Sequence, residues 1–467
     1  MKRFFYAVMV VSLCCSPAFG ARTNRYVATN GAHIPPFNTW ERASTSINVA
    51  VAWANTNNQG DIVYVSNGTY RLTQSVLVSN TVVQGWTKNY NDVIVDGQKT
   101  VRCFHLANTK AVLSGVTITN GEAAGAAVLS GYGGGVVMYS AANVYQGVLS
   151  NCLVTGCRAN YGGGVASYYP KGLNIQGCVI ERNTANSAGG IQWYYGAGDC
   201  LVKDCVLRYN LATNGAGAIG VAARLTLLDS KVISNKVEGG SGEKWGGGIT
   251  VGSQGDGPSL NRPIVISNCF IMANSVAGSA SYVGGVYVSA IPCKLYNCLI
   301  AGNSSYYRGG LHFRNSAATG EVYNCTIVGN TASQSEDTQK RGAGVSCENS
   351  TSVLANCVIY SNVYSLDRSQ DNYSTNNMGF CFTNCCTYPM PTYGANNITD
   401  PPRLVAPPWD FRLAPDSPCI NSGTNLPWTA QNGVFDLDGR RRIDGFFGLV
   451  DMGAYEFLPS GSMIKFR

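Results

Sequence analysis

Histidine is almost missing from this sequence: only His33, His105 and His312 occur in 467 residues. A metal centre or catalytic pair built on two imidazoles is therefore not expected. Charge is scarce too, with Asp, Glu, Lys and Arg at 13% and no two aspartates adjacent. The paired carboxylates that glycoside hydrolysis uses are correspondingly hard to place. The nearest pair is Asp199 and Asp204, and Asp204 has a better explanation as a turn residue. The net charge of +7 is modest for this length. No Lys/Arg run forms a nucleic-acid groove, so no nucleic-acid partner is expected. Beyond the first twenty residues no apolar run is long enough to span a bilayer.

What the chain has in abundance is glycine, tyrosine and cysteine, at 55, 26 and 18 residues, with 45% of all residues hydrophobic. They fall into a repeat. Its clearest copy is Gly177-Cys178-Val179-Ile180-Glu181-Arg182-Asn183. Eight copies are anchored at Cys152, Cys178, Cys205, Ser230, Cys269, Cys298, Cys325 and Cys357, spaced by 26, 27, 25, 39, 29, 27 and 32 residues. A period of this length marks one supersecondary unit stacked on the next. Three residues before the anchor and two after it, every copy carries Leu, Ile or Val. Those columns are wholly aliphatic, yet the parity of an extended strand breaks between the first of them and the anchor. The residue just before the anchor is always Asn, Gly or Asp, the types that accept a left-handed backbone. The pattern predicts a strand, a one-residue left-handed corner and a second strand.

Five residues past the anchor stand Asn183, Asn210, Asn235, Asn274, Asn303, Asn330 and Asn362, with Cys157 in the first copy. Stacked about 4.8 Å apart, these amides would bond one to the next. A glycine pair then opens a further strand, as in Gly163-Gly164-Val165 and Gly309-Gly310-Leu311. Three strands and three corners per repeat predict an all-β solenoid, a right-handed parallel β-helix. The repeats occupy residues 111–365, after an N-terminal cap and first coils over 21–110 and before an irregular C-terminal cap over 366–467. Within the N-terminal part, Ser44 to Asn55 has helical apolar spacing with Ser44 as its cap. Such a helix would cover the open end of the stack. Residues 1–20 read as a secretory signal: Lys2 and Arg3, an apolar run from Phe4 to Leu13, and a small-residue site at Ala18-Phe19-Gly20. Secretion, or display at a bacterial surface or in the periplasm, is expected.

Three stretches resemble known groups. Ile47 to Tyr70 is similar to the N-terminal cap of the pectate-lyase-like β-helix superfamily. The alternation of Gly-Gly-aliphatic with aliphatic-x-x-Asn resembles the repeats of chlamydial polymorphic outer membrane proteins, which usually carry Phe where this chain has Val, Ile or Leu. Asp410-Phe411-Arg412-Leu413, Ser417 to Gly423, Asp436 to Arg440 and Val450 to Glu456 resemble the choice-of-anchor Q domain of bacterial surface proteins. The first resemblance implies polysaccharide lyases, hydrolases or esterases among the relatives. The third implies display on a cell surface.

Sixteen cysteines follow the signal. Those at the anchors share one inward column and read as buried thiols. Cys200 with Cys205 and Cys293 with Cys298 are candidate bridges, and Cys381, Cys385, Cys386 and Cys419 are candidate staples of the C-terminal region. No metal site is expected: the column has no His partners, and Asp436-Leu437-Asp438-Gly439 reads as a turn because Arg440, Arg441 and Arg442 follow where calcium ligands would be needed. For chemistry, His312 should point outward beside Arg308 and Arg314, making these three the candidate catalytic cluster for an anionic sugar, with Ca²⁺ as the cofactor a lyase would use. Tyr168, Tyr169, Tyr194, Tyr195, Tyr306 and Tyr307 are candidate ligand-binding residues, since exposed aromatic faces hold sugar rings. Two functions are consistent with this: a secreted or surface β-helix scaffold that binds a glycan or another surface partner, and a lyase or hydrolase of acidic polysaccharide. A monomer is expected.

Overall fold

Left-handed corners set the path of the chain. In the computed structural model, the residue before every anchor has positive φ: Asn151, Gly177, Asp204, Asp229, Asn268, Asn297, Asn324 and Asn356 all lie between 50° and 62°. The structure describes residues 22–458 apart from 57–59, 109, 126–129, 140–146, 169–171, 195–198, 223, 241–243, 253–262, 280, 316–317, 334–341, 366–368, 375–378, 432–434 and 444–447. The signal segment therefore lies outside the described residues.

The chain is an all-β parallel solenoid built on four sheets, here a to d in the order the chain visits them. One coil shows the pattern: Gly172–Gln176 in a, Val179–Glu181 in b, Thr184–Ser187 in c and Ile191–Tyr194 in d. Sheet a has 14 strands, b 12, c 11 and d 10. Each strand pairs in parallel with its equivalent one coil away, as Val179 and Ile180 do with Val206 and Leu207. The expectation of three strands per coil is corrected to four. Sheet c escapes a sequence reading because its strands are short and typically turn a single small residue inward, such as Ala159, Ala185, Ala212 or Ala332. No aliphatic alternation is left to read.

The asparagine column forms as expected. Asn183 Nδ2 donates to Asn210 Oδ1 at 3.0 Å, Asn210 to Asn235 at 2.9 Å, and the chain of amides continues to Asn274, Asn303, Asn330, Asn362 and finally Asn372. Each Oδ1 also accepts the backbone N–H of the preceding rung, as Asn330 Oδ1 does from Asn303 N at 3.0 Å. These amides are fully buried, and they hold a second left-handed corner that the sequence concealed. The residue before each rung also has positive φ, although it is Arg182, Tyr209, Ser234, Ala273, Gly302, Gly329 or Ser361. Non-glycine residues adopt this conformation at a cost of roughly 1 kcal/mol each, which the ladder bonds offset.

The anchor cysteines line the a–b corner. Cys178 Sγ lies 3.3 Å from Gln176 O, and Ser230 makes the equivalent bond to Leu228 O at 2.6 Å. The sixteen cysteines among the described residues are all free, and of these only Cys381 is exposed. The bridges considered for Cys200 with Cys205 and Cys293 with Cys298 do not form. Extended chain between them carries their Cα atoms on the order of 10 Å or more apart, beyond disulfide reach. Burial pushes the Cys200 and Cys293 thiols up, away from thiolate reactivity.

At the N-terminal end a helix over Ile47–Thr56 buries Ile47, Ala50, Val51 and Ala54 against the first coils. It starts after Ser46, whose carbonyl accepts Ala50 N at 3.2 Å. Ser44 is therefore not its cap; its hydroxyl instead accepts Ser46 N one turn earlier. No helix of the described residues is long and apolar enough to cross a membrane.

The C-terminal segment folds back over the outer face of sheet b. Phe411, Leu413, Met452, Ala454 and Tyr455 pack on Leu299, Ala301, Val328, Val358 and Tyr360. Arg442, fully buried, pairs with Glu456 at 2.7 Å and bonds Asn297 Oδ1 in the coil stack. Asp436 Oδ1 accepts Asp438 N and Arg440 N at 2.9 and 2.7 Å, as expected of a turn.

Candidate functional site

The glycine pair that opens each strand of sheet d puts alternate side chains on the outer face. Positions one and three face the interior, so Val165, Trp193, Val251 and Phe313 are buried in the core. Position two forms an outer column of Val137, Ala166, Gln192, Gly220, Thr250, Tyr287, His312 and Ser346. Position four forms another: Tyr139, Tyr168 and Tyr194 at one end, then Gly252, Ser289, Arg314 and Glu348. The register thus sorts the outer face into an aromatic end and a charged end.

At the aromatic end Tyr168 and Tyr194 stack at 6.2 Å with planes 5° apart. Tyr132 meets Tyr161 at 4.6 Å, Tyr168 at 5.2 Å and Tyr194 at 6.3 Å. Tyr168 and Tyr194 are half-buried, so their faces are partly open. Tyr169 and Tyr195 lie outside the described residues. Next comes a small cavity of about 50 Å³ between Tyr194 and Trp245, floored by Gln192, Gly220 and Thr250. Gln192 is fixed there: its Oε1 accepts Ser187 Oγ at 3.0 Å and its Nε2 donates to Gly220 O at 3.2 Å. A second aromatic group follows. Trp245 stacks on Tyr282 at 4.8 Å, Tyr282 meets Tyr307 at 5.7 Å, and Tyr306 meets Tyr307 at 5.0 Å.

At the charged end the structure brings Arg308, His312 and Arg314 together around a residue the sequence reading missed, Glu348. Its carboxylate lies 3.0 Å from Arg308 Nη2, 3.7 Å from His312 Nε2 and 3.8 Å from Arg314 Nε. His312 does face outward, but it is not solvent-exposed. It is completely buried between Tyr287, 5.7 Å away ring to ring, and the Ser346 hydroxyl, 2.8 Å from Nδ1. Arg308 is only 5% exposed, whereas the Arg314 guanidinium lies over the Tyr282 ring at 5.4 Å and keeps an open edge. The hydroxyl is hydrogen-bonded to the imidazole, while the carboxylate, 3.7 Å from the other ring nitrogen, is beyond hydrogen-bond range of it and pairs with the guanidinium groups. Such a cluster presents one net positive site to an anion.

Ser346 and Glu348 carried a readable signal. They stand in the same columns as His312 and Arg314, two and four residues past Gly344, but the weaker Gly342-Ala343-Gly344 opening hides the register. Asp199 and Asp204 are not brought into a site: Asp199 pairs with Arg224 and Asp204 is an exposed corner. Among the described residues no group of three or more His, Cys, Asp or Glu could hold a metal ion.

No family model matches this chain. No curated protein matches it either. Among solved structures it is similar to a pectate lyase at 14% identity, over 94% of this chain and 97% of that one, with a TM-score of 0.44. It is similar to the Dettilon tailspike protein at 12% identity, over 80% and 68%, with a TM-score of 0.41. It is also similar to the pectin methylesterase from Aspergillus niger at 14% identity, over 71% and 88%, with a TM-score of 0.31.

Proposed function

We propose that the protein is a secreted or cell-surface β-helix scaffold that binds a glycan along the outer face of sheet d. The observation that carries this reading is the register of that face. Half-buried tyrosines stack on successive coils, a cavity follows between Tyr194 and Trp245, and a guanidinium pair closes the row. Aromatic faces take the C–H face of a sugar ring, and Arg314, whose guanidinium keeps an open edge, takes a carboxylate or sulfate. An anionic glycan with apolar ring faces fits both ends. The test is calorimetric titration with acidic and neutral oligosaccharides. Saturable binding of an acidic glycan, weakened about tenfold or more in a Tyr168→Ala/Tyr194→Ala variant, fits stacking worth about 1.4 kcal/mol. Equal binding by variant and wild type removes the face from the reading.

A second reading, a lyase or hydrolase of acidic polysaccharide, rests on the Ser346–His312–Glu348 cluster. A lyase needs a base next to a cation that neutralises the substrate acid, and His312 beside Arg308 and Arg314 has that composition. Calcium is the cofactor that reading would add. Ultraviolet absorbance of an unsaturated product from pectate, alginate or chondroitin, lost in an Arg308→Ala/His312→Ala/Arg314→Ala variant, would establish it. Silence from folded protein removes the lyase, and a reducing-sugar assay on the same glycans decides the hydrolase.

A further inference from the structure

A second cavity lies on another face, where the C-terminal segment overhangs the corner between sheets b and c. It holds about 350 Å³, within the range of ligand pockets. Its roof is a hairpin, Leu404–Ala406 against Asp410–Leu413. The turn is closed by Trp409 N donating to Ala406 O at 2.8 Å, and the Trp409 side chain at its tip is 90% exposed. The floor is the b–c corner of four successive coils: Ala273, Gly302, Gly329 and Ser361. Three steps of about 4.8 Å make it about 14 Å long. The fold does not demand glycine there, since Arg182, Tyr209 and Ser234 take the same φ of 55° to 56° in earlier coils. A Cβ on Gly329 would meet nothing within 4 Å. The glycines leave the floor open rather than make the turn.

The lining selects what can enter. Met272, Leu404, Pro407, Pro408 and Trp409 are among the lining residues, and none of the lining residues is Asp, Glu, Lys, Arg or His. The Tyr360 hydroxyl is already bonded to Thr399 O at 3.0 Å. The charges on the flanking chain pair with one another, Arg403 with Asp416 at 2.9 Å and Arg412 with Asp410 at 3.2 Å. Away from the Ser361 hydroxyl on the floor, a sugar pressed onto this wall would lose its water without gaining a side-chain partner. An alkyl chain loses nothing, and since a zigzag of bonds about 1.5 Å long advances only about 1.25 Å per bond, about twelve carbons fill the length. The exposed indole at the mouth is the side chain that sits where hydrocarbon meets water.

We propose that this cavity binds a single acyl chain, separately from the glycan face of sheet d, from either a free amphiphile or a membrane lipid. The test is calorimetric titration of the full chain with dodecyl maltoside below its micelle-forming concentration, with maltose as control. Saturable binding of the detergent and none of maltose is expected, weakened at least tenfold in Gly329→Tyr and in Trp409→Ala. Tyr209 shows that the corner accepts a tyrosine, and Trp409→Ala alters only an exposed tip, so one variant remains readable if the other fails to fold. Flotation with phosphatidylethanolamine–phosphatidylglycerol vesicles separates the sources. Co-flotation lost in the variants assigns a membrane lipid, whereas detergent binding without flotation assigns a free amphiphile. Equal binding of maltose, no binding by the wild type, or unchanged binding in both variants overturns the proposal.

Discussion

The coils from Asn151 to Ser234 and those from Asn268 to Asn362 share one interior and differ outside. Both halves carry the buried asparagine ladder and the column of small anchors. On the outer face of sheet b the earlier coils show Thr155, Glu181, Arg208 and Ile233, and the later ones Met272, Ala301, Val328 and Tyr360. Ala301, Val328 and Tyr360 are at most 7% exposed because the C-terminal segment covers them. On sheet d the order reverses, with tyrosines early and the charged cluster late. The interior columns therefore specify the coil, and the outer columns decide what each stretch of coil meets. Removing the same kind of interaction from each half tests that division.

The largest contrast should come from arginine. Arg442→Ala empties a fully buried site and leaves Glu456 and Asn297 without their partner, which should cost about 3–5 kcal/mol. Arg208→Ala breaks an equally short pair to Glu181, but the Arg208 side chain is 46% exposed, and exposed pairs contribute at most about 1 kcal/mol. Thermal melts of the two variants measure the difference, and similar losses would mean that the C-terminal segment is not docked as described. The same pair sets a pH dependence. Burial pushes Glu456 from its ordinary 4.5 up to about 8, against the pull of Arg442. Between those values the folded state holds a proton that the unfolded state has released, so stability falls as pH rises through the window. Melting should be higher at pH 5 than at pH 8, and Glu456→Gln should flatten that slope.

The ladder comes next. Asn303 bonds Asn330 Oδ1 and Ile271 O, and its own Oδ1 receives two bonds from Asn274. Asn303→Leu strands several buried groups and should cost about 2–4 kcal/mol. Asn235→Leu should cost a similar amount, because interior columns do not distinguish the halves. Cys298→Ser, a change with a natural precedent in this same column at Ser230, should stay within about 1 kcal/mol of wild type. A ladder variant that melts like wild type would show that the amides are not what holds the corner.

Interior columns were legible in the sequence because one residue type repeats at one register: aliphatic, Asn, and Asn/Gly/Asp before the anchor. Sheet c was not, since a single inward Ala or Val leaves no period. The candidate site was half legible. Arg308, His312 and Arg314 lie in one short stretch, but Glu348 and Ser346 reach them only through coil register, 34 or more residues on. Tyr132, Tyr161, Trp245, Tyr282 and Tyr307 stand two residues before the glycine pairs of their coils, a readable column that Ser187 and Gly215 interrupt. Exposure was the least legible property, because His312 faces outward and is still covered by Tyr287 and Ser346.

The second left-handed corner gives the finest comparison. Both halves hold φ between 54° and 65° at this position, but with Arg182 and Tyr209 early and Gly302 and Gly329 late. If the backbone alone governed the choice, glycine would be preferred throughout. Ala273→Gly should then stabilise by up to about 1 kcal/mol, less the chain entropy that glycine adds to the unfolded state. Gly329→Ala should destabilise by about the same small amount, since nothing lies within 4 Å to clash. Opposite signs of similar size, read from denaturant midpoints at constant slope, would show that glycine is a small preference of this turn in both halves and not a requirement of the later coils. A loss of several kcal/mol in Gly329→Ala would instead make glycine a requirement of the later coils, and the two halves would differ inside as well as out.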